Sequence, residues 1–129
     1  MPDYPIPLFE PPPGTPHHWF YIRTNMSSYK AGHAKDTHKR AKKDRQFKGT
    51  IEVGKIGCNC PLAPDKYGHP MCDRERNWQD THKRAHLPDS EWYRETPGVV
   101  AALTFMFHDD KRAMAIVMQV MRNNRPEAM

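Results

Sequence analysis

The chain has 129 residues, enough for one modest domain with extended arms. Only 37% of the residues are apolar and thirteen are proline, so we expect a thin core that needs a metal, a disulfide or a partner surface for support. The net charge of +5 favours acidic partners, which include nucleic acid, anionic lipid and acidic protein surfaces. No apolar run approaches the roughly 18–20 residues that cross a bilayer, which predicts a soluble or membrane-peripheral protein.

Residues 1–29 are predicted to form an extended arm. Seven prolines lie within residues 2–16, and proline excludes regular helix there. The alternative for this segment is a disordered tail. The aromatic run from His17 to Ile22 follows, and we interpret it as a short buried strand or as an anchor on a partner. The sequence begins without the features of a secretory signal or an Arg-rich presequence.

Residues 30–95 are predicted to form a basic and Cys/His-rich central module. It is expected to open with a basic helix over residues 35–47, which either faces phosphates or acidic side chains or is simply solvated. Alternating side chains then predict a strand over residues 50–56. The prolines and glycine between Cys60 and Cys72 predict a loop without regular structure. The candidates for contact with nucleic acid or an acidic partner are Lys39, Arg40, Lys42, Lys43, Lys83 and Arg84.

A six-residue repeat, Asp-Thr-His-Lys-Arg-Ala, occurs at residues 36–41 and again at residues 80–85. In each copy the aspartate is expected to cap the start of a helix. The repeat has two interpretations: a shared role for the paired histidines or basic residues, or a coincidence of capping chemistry.

Residues 96–129 are predicted to form an apolar helical segment. Thr96 and Pro97 make a helix start, with threonine as the cap and proline at the first helical position. Residues 99–107 are almost entirely apolar, and after a polar interruption apolar residues recur at three- and four-residue spacing until about Asn124. Two helices or one bent helix are expected, with a hairpin as the alternative, and docking on a partner competes with packing in the core.

All three cysteines of the chain lie within fifteen residues, as Cys58, Cys60 and Cys72. Thiolates are soft donors that hold zinc or iron-sulfur clusters, and a Cys-x-Cys pair can bind one metal centre. His69 and His82 are the candidates that would complete a set of three cysteines and one histidine. A disulfide and unligated thiols are the alternatives, although an odd number of cysteines weakens a purely disulfide framework.

The order Cys58-x-Cys60 followed by Pro70-Met71-Cys72-Asp73 resembles the CDGSH iron-sulfur (mitoNEET-like) family. The resemblance covers Cys58 to Arg76 only. It implies that the three cysteines are ligands of a [2Fe-2S] cluster, and it implies a mitochondrial location. The spacer before Cys72 is three residues longer than in the family, and Arg76 stands where the family has its ligand histidine. The fourth ligand would therefore be another histidine, His69 or His82, or the motif would be a relic without a cluster.

These features predict a small, irregular α+β fold with a Pro-rich N-terminal arm, a metal- or cysteine-stapled central loop beside a short strand, and apolar C-terminal helices. The function that we expect is that of a non-catalytic accessory subunit of a large assembly, plausibly a mitochondrial respiratory complex, carrying a site for [2Fe-2S] or zinc. One alternative is a zinc-stabilised nucleic-acid-binding protein such as a ribosomal subunit that contacts RNA. Another is a [2Fe-2S] electron-transfer protein. No catalytic motif was recognised.

Overall fold

The structure is a computed structural model, and it describes residues 18–35, 48–59, 62–64 and 70–125. Strands and helices are both present, which confirms the small α+β class. The strands are β1 (His18–Thr24), β2 (Ser28–Ala34), β3 (Ile51–Cys58), β4 (Leu62–Pro64), β5 (Pro70–Cys72) and β6 (Trp92–Arg94). The helices are α1 (Asp73–Thr81), α2 (Pro97–Phe107) and α3 (Lys111–Asn124). Residues 1–17 of the predicted arm, and all but the first residue of the predicted basic helix, lie outside the described residues. Residues 18–29 are not part of an arm, because they form β1 and the start of β2 in the main sheet.

The main sheet has four antiparallel strands in the order β3-β1-β2-β6. Strand β1 is central, and it forms where the sequence predicts a short buried strand. Strand β3 covers the second predicted strand and ends at Cys58. The register between β1 and β3 shifts between Ile22 and Arg23, and a bulge of this kind bends the strand at that point.

Alternate residues of the sheet point to one face, and the helices cover that face. Phe20 and Ile22 of β1 are fully buried there, together with Tyr29 of β2. Helices α2 and α3 add buried apolar residues to the same cluster, which are Val99, Leu103, Phe107, Ala113, Val117 and Val120. The C-terminal helices therefore pack on the chain's own sheet.

Local chemistry explains where the C-terminal helices begin. The Thr96 hydroxyl accepts a hydrogen bond from the Val99 N–H at 3.2 Å, and Pro97 occupies the first turn of α2. The Asp110 carboxylate accepts one from the Ala113 N–H at 3.0 Å and caps α3 in the same way. No helix of the described residues is long and apolar enough to cross a membrane.

Two local predictions are wrong. Residues between Cys60 and Cys72 include two short paired strands, β4 and β5, with Pro64 opposite Pro70. Each proline is at the end of its strand, where the missing N–H costs least. The second copy of the repeat does not start a helix, because Asp80 lies in the last turn of α1 and His82 follows the helix as its C-cap. The first copy lies outside the described residues.

Candidate metal centre

One end of the covered sheet face carries three side chains that can ligate metal. His18 and Cys58 are directly opposite each other on β1 and β3. His33 of β2 is opposite Phe20, which is two residues along β1 from His18 and on the same face. The antiparallel register therefore brings these residues together although they are far apart in the sequence.

Cys72 joins this group from outside the main sheet. It ends β5 and is the N-cap of α1, and its sulfur accepts a hydrogen bond from the Glu75 N–H at 3.3 Å. A helix N-terminus and a donated N–H both stabilise negative charge on a sulfur atom. The sulfur of Cys72 is therefore positioned by the end of β5 and the first turn of α1.

The donor atoms of His18, Cys58 and Cys72 all lie within 4.8 Å of one another. The three residues are 1%, 7% and 0% exposed, and both cysteines are thiols rather than halves of a disulfide. Zinc bonds of about 2.0–2.3 Å place tetrahedral ligands about 3.3–3.8 Å apart. The three donors thus need only small movements to meet at one ion.

A second group of donors shares the Cys72 sulfur. His33, Cys72 and Glu75 also offer ligand atoms within 4.8 Å of one another. His33 Nδ1 and Glu75 Oε1 are 2.6 Å apart and form a hydrogen bond that links β2 to α1. The ring of His33 lies edge-on to that of His18, with centroids 5.7 Å apart. A carboxylate paired with a histidine beside metal ligands is a common way to orient the ring.

One side of the cluster borders the protein surface. An open depression of about 370 Å³ is lined by Cys58, Asp73, Arg74 and Asn77. Cys58 is the cluster residue that reaches it, whereas Cys72 is fully buried. Small solutes can therefore approach the cluster from the Cys58 side.

The structure brings together two of the five predicted metal ligands. Cys58 and Cys72 meet at the cluster, whereas Cys60 and His69 lie outside the described residues. His82 is in neither donor group of the described chain. Its ring packs on Trp78 with centroids 4.3 Å apart, and burial lowers the pKa of the imidazole below its ordinary value.

Sequence reasoning missed His18, His33 and Glu75. His18 stands in an aromatic run that was interpreted as a strand, so its burial was expected but its partner was not. A strand places alternate residues on one face, so the two-residue spacing of His18 from the buried Phe20 was the available signal that His18 faces the core. The pairing with Cys58 depends on the register, which no local pattern determines.

Two of the six basic residues that were predicted to contact nucleic acid or an acidic partner lie in the described part of the chain. Lys83 and Arg84 are exposed in the turn that follows α1, and the Arg84 carbonyl accepts a hydrogen bond from the Arg94 guanidinium at 2.8 Å. The other four, which are Lys39, Arg40, Lys42 and Lys43, lie outside the described residues.

Comparison with protein-family models, with curated proteins and with solved structures finds no significant match.

Proposed function

We propose that this protein is a metal-stabilised accessory subunit of a multiprotein assembly, without catalysis of its own. The observation that carries the proposal is the buried cluster of His18, Cys58 and Cys72. Two thiols and one imidazole match the donor set of structural zinc sites.

The spacing of the donors favours a single ion over a [2Fe-2S] cluster. A two-iron cluster divides its protein ligands between two metal atoms, so some ligands stand further apart than one tetrahedral ion allows. All three donors here lie within 4.8 Å of one another. We therefore propose Zn²⁺, with the fourth ligand supplied by Cys60, His69 or the adjacent pair of His33 and Glu75.

A metal at this position would tie α1 and the β4-β5 hairpin to the main sheet. Helix α1 is nine residues long and buries only Glu75 and Trp78 of its own residues. A short helix with so little burial gains little stability from packing. Coordination by Cys72 together with His18 and Cys58 would add to the attachment that Trp78 and the His33–Glu75 hydrogen bond already give α1, because metal binding energy adds directly to folding energy.

The accessory role is supported by exposed apolar side chains on the C-terminal helices. Phe105 of α2 is 82% exposed and Met118 of α3 is 52% exposed. Large aromatic and methionine side chains are enriched at protein interfaces, where burying them against a partner is favourable. The net charge of +5 adds a preference for an acidic partner surface.

The metal proposal is tested by elemental analysis of the purified chain. We expect about one zinc per chain and no visible absorbance. Cys72→Ser and His18→Gln should each lose most of the zinc and lower the melting temperature, because each removes a ligand of a structural ion. His108→Gln is the matched control, since this histidine is exposed and outside both donor groups.

Two results would contradict the zinc site. One is a wild-type protein that contains no zinc, and the other is unchanged zinc in both ligand variants. Iron with labile sulfide and visible colour would instead favour the [2Fe-2S] alternative. His82→Gln tests the candidate ligand that was predicted from the sequence alone. Since His82 is outside both donor groups, we expect this variant to keep its zinc.

The assembly proposal is tested in cells that express the tagged chain at native level. We expect the chain to migrate in native gels well above its own 15.0 kDa. Phe105→Ser should shift it toward the size of the isolated chain, since the substitution removes the most exposed large apolar side chain among the described residues. Migration of the wild-type chain at its own mass would reject the accessory role.

A further inference from the structure

The cluster pairs two thiols, and only one of them reaches the surface. Cys58 and Cys72 have sulfur atoms within 4.8 Å of each other, and both are thiols. Cys58 lines the open depression, whereas Cys72 is 0% exposed. An oxidant the size of hydrogen peroxide that enters through this depression would therefore meet Cys58 before Cys72.

We propose that this site is a redox switch, in which a hydroperoxide joins Cys58 to Cys72 in a disulfide and the metal is released. The inference rests on the proposed zinc site and adds its regulation. A disulfide requires the two sulfurs to reach about 2.05 Å, so they must approach by less than about 3 Å. Oxidation would remove two of the three described donors at once, leaving His18 alone.

The chemistry balances with hydrogen peroxide as the oxidant. The Cys58 thiolate attacks one peroxide oxygen, the O–O bond breaks, and the departing hydroxide takes a proton to become water. The Cys72 thiolate then attacks the sulfur of the Cys58 sulfenic acid, the S–O bond breaks, and a second hydroxide leaves as water after protonation. The two sulfurs together lose two electrons, the peroxide gains them, and zinc keeps its charge.

The surroundings of the two sulfurs suit these separate roles. Asp73, Arg74 and Asn77 line the depression beside Cys58, so the side from which the oxidant enters is polar. Cys72 sits at the N-terminus of α1, is fully buried, and has its sulfur within 4.8 Å of the Cys58 sulfur. The thiolate is the nucleophile in thiol exchange, so Cys72 is placed to act as the resolving cysteine.

The test treats the full-length, zinc-loaded protein with one equivalent of hydrogen peroxide in the presence of a chromogenic zinc chelator. We expect about one zinc released per chain. Two of the three cysteines should disappear from a thiol count, which leaves one. Peptide mapping by mass spectrometry should show the Cys58 and Cys72 peptides joined, and a dithiol reductant with added zinc should restore the metal.

Cys60→Ser is the matched control, read by the peptide map. The disulfide between Cys58 and Cys72 should form in this variant too, whether or not Cys60 is a zinc ligand. Cys72→Ser should form no such link. Zinc retained in excess peroxide, a disulfide that uses Cys60, or sulfinic acid without any disulfide would each overturn the switch.

Failure of the switch and failure of the zinc site give different results. If the untreated protein contains no zinc, the proposed function fails before any oxidant is added. If the untreated protein contains zinc and peroxide leaves it in place, only the switch fails.

Discussion

Gly54 of β3 lies against the ring of Phe107. A methyl group at this position would lie 2.6 Å from a ring carbon of Phe107, and two further ring carbons would be within 2.9 Å. Phe107 is the last residue of α2 and is 7% exposed. The absence of a side chain at Gly54 therefore sets how near the helix can lie, and the phenyl ring fills the space above the strand.

We expect Gly54→Ala to destabilise the protein by about 1–3 kcal/mol, because overpacking forces the ring or the strand to shift. The free energy of unfolding from denaturant titration measures the effect. Gly98→Ala is the matched control, since the only atom near its added methyl group is the Thr96 hydroxyl oxygen at 3.9 Å. The control should be neutral or more stable by up to about 1 kcal/mol. Equal stability of the two variants would contradict the proposed close approach.

His18 is a residue whose position in the site depends on the tertiary structure. In the sequence it is one of two adjacent histidines before a run of aromatic residues. In the structure it is 1% exposed and opposite Cys58. Burial of the strand was predictable from its apolar character, whereas the position of His18 beside Cys58 was not, because it depends on which residue of another strand lies opposite.

At the scale of the element, α2 has two apolar faces with different surroundings. Leu103 is 0% exposed and belongs to the core cluster beside Val99. Phe105 is on the other side of the same helix and is 82% exposed. No charged residue occurs between Pro97 and Phe107, so the sequence pattern does not separate the two faces. Only the docking of the helix on the sheet does so.

Substitutions on the two faces of α2 should have very different effects. We expect Leu103→Ala to cost about 2–5 kcal/mol, because it leaves a cavity in the core. Phe105→Ser should change the free energy of unfolding by less than about 0.5 kcal/mol, since exposed positions tolerate substitution. Thermal and denaturant unfolding of the two variants gives the comparison. A large loss from Phe105→Ser in the isolated chain would mean that this face is covered by the chain itself.

Only some of the strands could be predicted from the sequence. Strands β1 and β3 were predicted from aromatic content and alternation, and both are present. Strand β2 was missed, because Lys30 and Gly32 are unusual in a buried strand. Lys30 is fully buried with its ammonium 2.6 Å from the Glu91 carboxylate, a partner supplied by a distant segment. Helix α1 and the strands β4 to β6 were also missed, since each is too short to show a clear period.

In the molecule as a whole, the same face of the sheet carries an apolar core and the His/Cys cluster. Toward one end, α2 and α3 cover Ile22 and Tyr29 with apolar side chains. At the other end, Cys72 and α1 meet His18 and Cys58. The apolar core extends from the C-terminal helices to Trp78 of α1, and the polar cluster lies beyond it at the end of the face. A bound metal would stabilise the part that apolar packing does not.

The sequence by itself determined the features that depend on residue type and near neighbours. These are the basic charge, the α+β class, the cap at Thr96, the two strands with clear patterns, and the choice of Cys58 and Cys72 as candidate ligands. The tertiary structure alone decided that His18, His33 and Glu75 surround those sulfurs. The physical reason is that caps and strand patterns arise from contacts within a few residues, whereas the cluster arises from strand register and helix docking between distant segments.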